Sequence, residues 1–222
     1  PDFTWFVFFG EQTPATYLSR ITALHERFPT FTPHYLADGH KVYKDFQVEV
    51  ASLLTPADTH VITSRIDNDD AFHREMVARL RSEFHGQDLE FLNFIQGVQY
   101  DMERGVAGLI RKPSNPFIAL IERIRDGEVR TVLHVMHHQA QETGYLRDIE
   151  TEPMWLQLIH GGNLENRFKA GRILFDPQLE RDFGIAGPVH VDLFRSRVEA
   201  LRGMVHRAKL RARTTVKRML GR

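Results

Sequence analysis

The chain contains no cysteine in its 222 residues, which excludes disulfides and thiolate metal sites and is compatible with a reducing compartment. It has no uncharged apolar run of the length needed to cross a bilayer. The apolar stretch from Phe3 to Phe9 follows Asp2 and lacks a basic flank and a small-residue cleavage site, so it does not read as a signal peptide. Net charge is lacking too, with 29 Lys and Arg against 29 Asp and Glu. That balance conceals a division. Residues 194–222 hold ten basic side chains against one acid, Glu199, and the remainder holds 19 basic against 28 acidic. A basic tail on an acidic body suggests an anionic surface as its partner. The length suits one α/β domain with a sizeable core, over 1–190, followed by a basic helical tail over 191–222.

What is present is organised around His60 to Asp70, HVITSRIDNDD. Val61, Ile62, Thr63 and Ile66 are β-branched and suit a buried strand. The apolar run stops at Asp67, and Asp69 and Asp70 follow after Asn68. Three carboxylates in a small volume require a cation or a raised pKa. Asp67 and Asp69 are two residues apart, so a bend can aim both at one ion, and oxygen ligands favour Mg2+ or Mn2+ over zinc. The plainer reading makes Asp69 or Asp70 the N-cap of a helix over Ala71 to Phe84. Arg65, two residues before Asp67, is placed to hold that carboxylate or to meet a phosphate.

Ahead of this stretch the pattern alternates. Phe3 to Phe9 reads as a strand, Pro14 heads a helix carrying Leu18, Ile21, Leu24 and Phe28, and Phe31 to Leu36 reads as a second strand. A helix from about Tyr43 to Leu54 precedes His60. Such alternation predicts a largely parallel sheet, with ligands beyond the carboxyl ends of its strands. Downstream, FLNFIQGVQYD at 91–101 is strand-like, VAGLI at 106–110 suits a hairpin partner, and SNPF at 114–117 opens what reads as a helix, FIALIERI, capped by Ser114 or Asn115. His134, His137 and His138 cluster, but without a thiolate or a spacing that shares one helix face, so a substrate or solvent contact is the better reading. The tail carries Phe194, Val198, Leu201, Val205, Ala208 and Ala212 at alternating steps of four and three, an apolar seam on a basic helix. It fits an anionic membrane surface, with packing on the body or on a partner as the alternative. No aromatic platform or module for nucleic acid accompanies it.

SRIDNDDAFHREMV resembles the aspartate-rich signature of a bacterial family of rhamnosyltransferases, which are similar to GT-A-type glycosyltransferases with a DXD motif. FLNFIQGVQYD, SNPFIALIE at 114–122 and MWLQLIHGGNLENR at 154–167 are further matching blocks in the same order, and the likeness covers roughly residues 3–170. It implies a GT-A-like, Rossmann-like, mostly parallel sheet flanked by helices. It also implies sugar transfer from a nucleotide-sugar donor to a glycan or lipid-linked acceptor, with Mn2+ or Mg2+ bridging the aspartates and the diphosphate. On that resemblance Asp67, Asp69 and His160 are the metal ligands, and Glu11, Arg65, Asp67 and Asn68 bind the donor. Trp155 and Asn163 meet the acceptor. Glu152 or Asp70 removes the acceptor proton if transfer inverts, with Glu150 and Asp148 as neighbours of Glu152 able to do the same. The resemblance also implies an earlier strand and helix that these residues do not include. The expected location is cytoplasmic, with the tail at the inner face of the membrane. An aspartate-nucleophile phosphatase, with Asp67 attacking and Asp69 as acid or base, and an inactive binding module remain the alternatives.

Overall fold

The computed structural model describes residues 3–113, 115–161, 168 and 176–185, and in the C-terminal segment 192, 194–195, 197–198, 201–202, 204–205 and 208–209. The first part follows the alternation expected. β1 (Trp5–Gly10) and β2 (Phe31–Leu36) pair in parallel and are joined by α1 (Ala15–Arg27), and α2 (Val42–Leu53) leads to β3 (His60–Ser64). Pro14 stands at the head of α1, where its missing N–H costs no helical hydrogen bond. α2 buries Phe46 and Val50, four residues apart and so on one face.

After β3 the order departs from a largely parallel sheet. The chain forms β4 (Ala71–Phe72), α3 (Met76–Ser82), β5 (Leu89–Phe94), β6 (Gln96–Asp101), β7 (Val106–Arg111), β8 (Ala119–Arg123), β9 (Leu146–Ile149), β10 (Trp155–Ile159) and α4 (Asp176–Phe183). Among the described residues there are two four-stranded sheets, β3-β8-β5-β9 and β4-β10-β6-β7, besides the β1-β2 pair. Both are mixed. β3 and β5 run antiparallel to β8, and β9 is parallel to β5, while β10 is parallel to β6 and antiparallel to β4. The molecule is thus α/β with mixed sheets, and the expected mostly parallel order holds for β1 and β2 and fails beyond β3.

Two expected helices are replaced in whole or part. Ala71 and Phe72 form β4, so the helix begins only at Met76. FIALIERI is not helical, because its middle is β8, an inner strand of the first sheet. Ala119 and Ile121 pack with Met76 and Trp155 on one side, and Ile118 and Leu120 pack with Phe46 and Val50 on the other. A strand covered on both faces is apolar throughout, which imitates a buried helix. The expected hairpin is present as β6 and β7.

This layering fixes where the polar residues emerge. β1, α2 and β3 wall an apolar cleft of about 590 Å3 that includes Phe6, Phe46 and Ile62 and runs to Arg65 and Asp67. β1 and β3 line it without pairing to one another.

Candidate functional site

Residues 65–70 carry the backbone from the end of β3 in one sheet to β4 in the other. The Asp70 N–H donates to the Asp67 carbonyl at 3.1 Å and closes the turn. β4 then sets Phe72 opposite Trp155 and Ala71 opposite Leu156 in antiparallel register. Continuing that register brings Asp70 and Asp69 alongside the carboxyl end of β10, where the chain reaches His160. The short β4 therefore aligns the acidic loop with a histidine distant in sequence.

Each aspartate meets a different partner. The Arg65 Nη2 donates to Asp67 Oδ1 at 2.9 Å. The Leu158 backbone N–H donates to Asp70 Oδ1 at 3.0 Å. Asp69 Oδ2 lies 3.1 Å from His160 Nε2, with both side chains partly exposed. Neither Asp69 nor Asp70 caps a helix, since α3 starts beyond β4. Burial pushes the Asp70 carboxyl up to about 7, opposed by the Leu158 hydrogen bond and assisted by the charges of Asp69 and Asp67. Lys112 pulls it the other way.

Asp69 and His160 bring a carboxylate oxygen and an imidazole nitrogen together at 3.1 Å, the distance of a direct hydrogen bond. Both atom types are ones that a divalent cation accepts as ligands. Asp67, expected as the second carboxylate ligand, is turned on to Arg65 instead. Among the described residues, no group of three or more His, Cys, Asp or Glu side chains is gathered for a metal.

Other expected residues lie elsewhere. Trp155, expected to stack on a sugar, is fully buried, with its indole 4.6 Å from the Phe117 ring and its Nε1–H donated to the Phe94 carbonyl at 2.7 Å. An aromatic ring in an apolar strand is held there by burial and offers no face to an acceptor. Glu152 is exposed and precedes β10, whereas the aspartates meet the far end of that strand, six residues and roughly 20 Å of extended chain away. Its neighbours are engaged differently: Glu150 pairs with Arg111, and Asp148 accepts from Asn93 at 2.6 Å. Glu11 is exposed at the end of β1, with its N–H on the Leu36 carbonyl. Asn68 is exposed on the acidic loop, and Asn163 falls outside the described residues, as does Ser114. Asn115 caps no helix. It is buried and donates to Asn93, while the Phe117 N–H donates to its Oδ1 at 2.9 Å.

His137, expected to contact substrate or solvent, is half-buried, and burial first, then Arg65, His138 and Lys112, lower its pKa while Asp67 raises it, which favours the neutral ring beside the acidic loop. Three residues near the cluster are thus gathered from separate segments, and two of them, Lys112 and Glu103, escape sequence reasoning. Glu103, in the turn between β6 and β7, rests its carboxylate against Gly161, where a Cβ would meet Oε1 at 2.6 Å. None of them sits in a motif. His134, by contrast, stacks on Phe91.

A family model described as "Putative rhamnosyl transferase" matches residues 1–172. The chain belongs to that family. The match spans β1 to β10 and both partners of the Asp69–His160 contact, and it ends before α4 and the basic segment. No curated protein and no solved structure matches the chain.

Proposed function

We propose that this chain is the catalytic part of a metal-dependent, GT-A-like glycosyltransferase that moves a sugar, rhamnose being the candidate, from a nucleotide-sugar donor to a glycan or lipid-linked acceptor. The observation that carries the reading is the meeting of Asp69 and His160 where the two sheets join, inside the region that the family shares. In this reading Asp69 and His160 would hold Mn2+ or Mg2+, which when bound would neutralise charge on the departing nucleoside diphosphate.

The chain's own residues do the rest. Arg65 fixes Asp67 at the mouth of the cleft and presents a planar cation to a donor phosphate. Lys112 adds a second positive charge on that side. Asp70 ties the loop to β10 through Leu158, which engages Oδ1 and leaves Oδ2 to take the acceptor's hydroxyl proton. Asp70 displaces Glu152 in that role because it lies within the cluster.

Incubation with a panel of nucleotide sugars, with Mn2+ or with chelator, tests the reading. The expected result is metal-dependent release of a nucleoside diphosphate, lowered at least about 100-fold in Asp69→Ala and in His160→Ala. Arg65→Ala is expected to raise the donor KM with little effect on the unfolding midpoint, because an exposed ion pair contributes little stability. Unchanged turnover in Asp69→Ala refutes the site. Release of inorganic phosphate from a phosphomonoester such as p-nitrophenyl phosphate, with every nucleotide sugar left intact, replaces the transferase with an aspartate-nucleophile phosphatase.

A further inference from the structure

The C-terminal segment presents a surface that the proposed chemistry does not use. Its start is tied to the body: the Asp192 N–H donates to the Gly105 carbonyl at 2.6 Å, in the turn after β6. The Asp192 carboxylate then accepts the Arg195 N–H at 2.9 Å, the three-residue reach of an N-cap. The described residues from 194 to 209 are α-helical. Val198, Leu201 and Val205, at steps of three and four, line one shallow groove, and Arg202 and Lys209 border it. Leu201 is 62% and Val205 49% exposed, as is Phe194 at 78%, while Val198 is half-buried.

We infer that this segment is a docking face for an anionic lipid bilayer, on which it lies in the interface plane. Charge selects the occupant. Residues 194–222 carry ten Lys and Arg against one acid, so a second copy of the segment brings like charges together, whereas an anionic headgroup layer neutralises them. The apolar seam separates a bilayer from nucleic acid, which takes the charge but has no use for Leu201 and Val205 turned outward. Arg202 and Lys209 can lay their stems along the seam and lift their charges to the headgroups. The segment lies on the bilayer rather than through it, because no helix among the described residues is long and apolar enough to cross one.

Co-sedimentation of the full chain with phosphatidylcholine vesicles, with and without about a third of phosphatidylglycerol, tests the inference without an activity assay. The native chain is expected to pellet with the anionic vesicles, to remain in solution with the neutral ones, and to be released by high salt. Leu201→Glu with Val205→Glu is expected to abolish pelleting, and Arg202→Glu with Lys209→Glu to lower partitioning at least about 25-fold, from about fivefold for each basic residue lost. Circular dichroism and the unfolding midpoint of the body should match the native chain in both variants. Equal pelleting with both vesicle types overturns the inference, as does native-like pelleting of the Leu201/Val205 variant. Retention of the native chain and that variant alike on an oligonucleotide, with no vesicle binding, reassigns the segment to nucleic acid. A lipid-free dimer that the same variant dissociates reassigns it to a second copy.

Discussion

Gly97 on β6 faces the indole of Trp155 on β10 with no room for a side chain between them, because a Cβ at Gly97 would stand 2.2 Å from Trp155 Cδ2. The ring cannot retreat, being fully buried and stacked on Phe117. Gly97→Ala is therefore expected to destabilise the protein by roughly 2–3 kcal/mol through overpacking. Urea unfolding gives the difference, and the near-ultraviolet dichroism of Trp155 should change with it. An unaltered midpoint contradicts this packing.

Asn115 holds the chain between β7 and β8. Its Nδ2 donates to Asn93 Oδ1 and to the Phe94 carbonyl, and its Oδ1 accepts from Phe117 N–H. Asn115→Asp keeps the size but turns a donor into an acceptor facing three acceptors, the Lys112 carbonyl at 3.2 Å being the third. It is expected to cost more than Asn115→Ala, which loses roughly 1–3 kcal/mol by leaving buried groups unpaired. The reverse order, measured by denaturant unfolding, would contradict this account of the Asn115 hydrogen bonds.

The same residue marks how far the sequence carries the fold. The helix periodicity of α1 and α2 and the β-branched run of β3 are plain, and they give the alternation up to His60–Ser64. Beyond it, Ala119–Arg123 is an apolar run buried on both faces, and such a run has no period of two to separate strand from helix. β4 is two residues long, too short for any pattern, yet its pairing with β10 brings the acidic loop to His160. The resemblance to the family names both ends of that contact, which spacing alone does not. Lys112, His137 and Glu103 come from separate segments, and only the folded chain gathers them near the acidic loop.

Glu90 gives a pH dependence of definite sign. Burial raises its pKa, but hydrogen bonds from Arg147 and Gln87 outweigh this and hold the carboxyl below its ordinary 4.5. A depressed folded pKa contributes stability that is complete above the unfolded value and is lost as pH falls through the folded one. Arg147→Gln is expected to lower stability by about 1 kcal/mol at neutral pH, since the network is only partly buried. The two unfolding curves should converge below the ordinary 4.5 of Glu90. A gap that persists undiminished in acid would assign the loss to the packing of the Arg147 stem.

Asp69 and His160 separate a metal site from a simple polar contact. If their contact is polar only, removing either partner costs the same small stability with or without Mn2+, and the double variant shows their coupling in both conditions. If they share an ion, Mn2+ raises the unfolding midpoint of the native chain, because a ligand that binds only the folded state stabilises it. Asp69→Ala and His160→Ala should each remove that rise and weaken Mn2+ binding, followed by paramagnetic resonance, by at least about 10–100-fold. The double variant should then bind no more weakly than either single one, since half of a two-residue clamp is already too little to hold the ion. Additive losses would place the two side chains on independent sites.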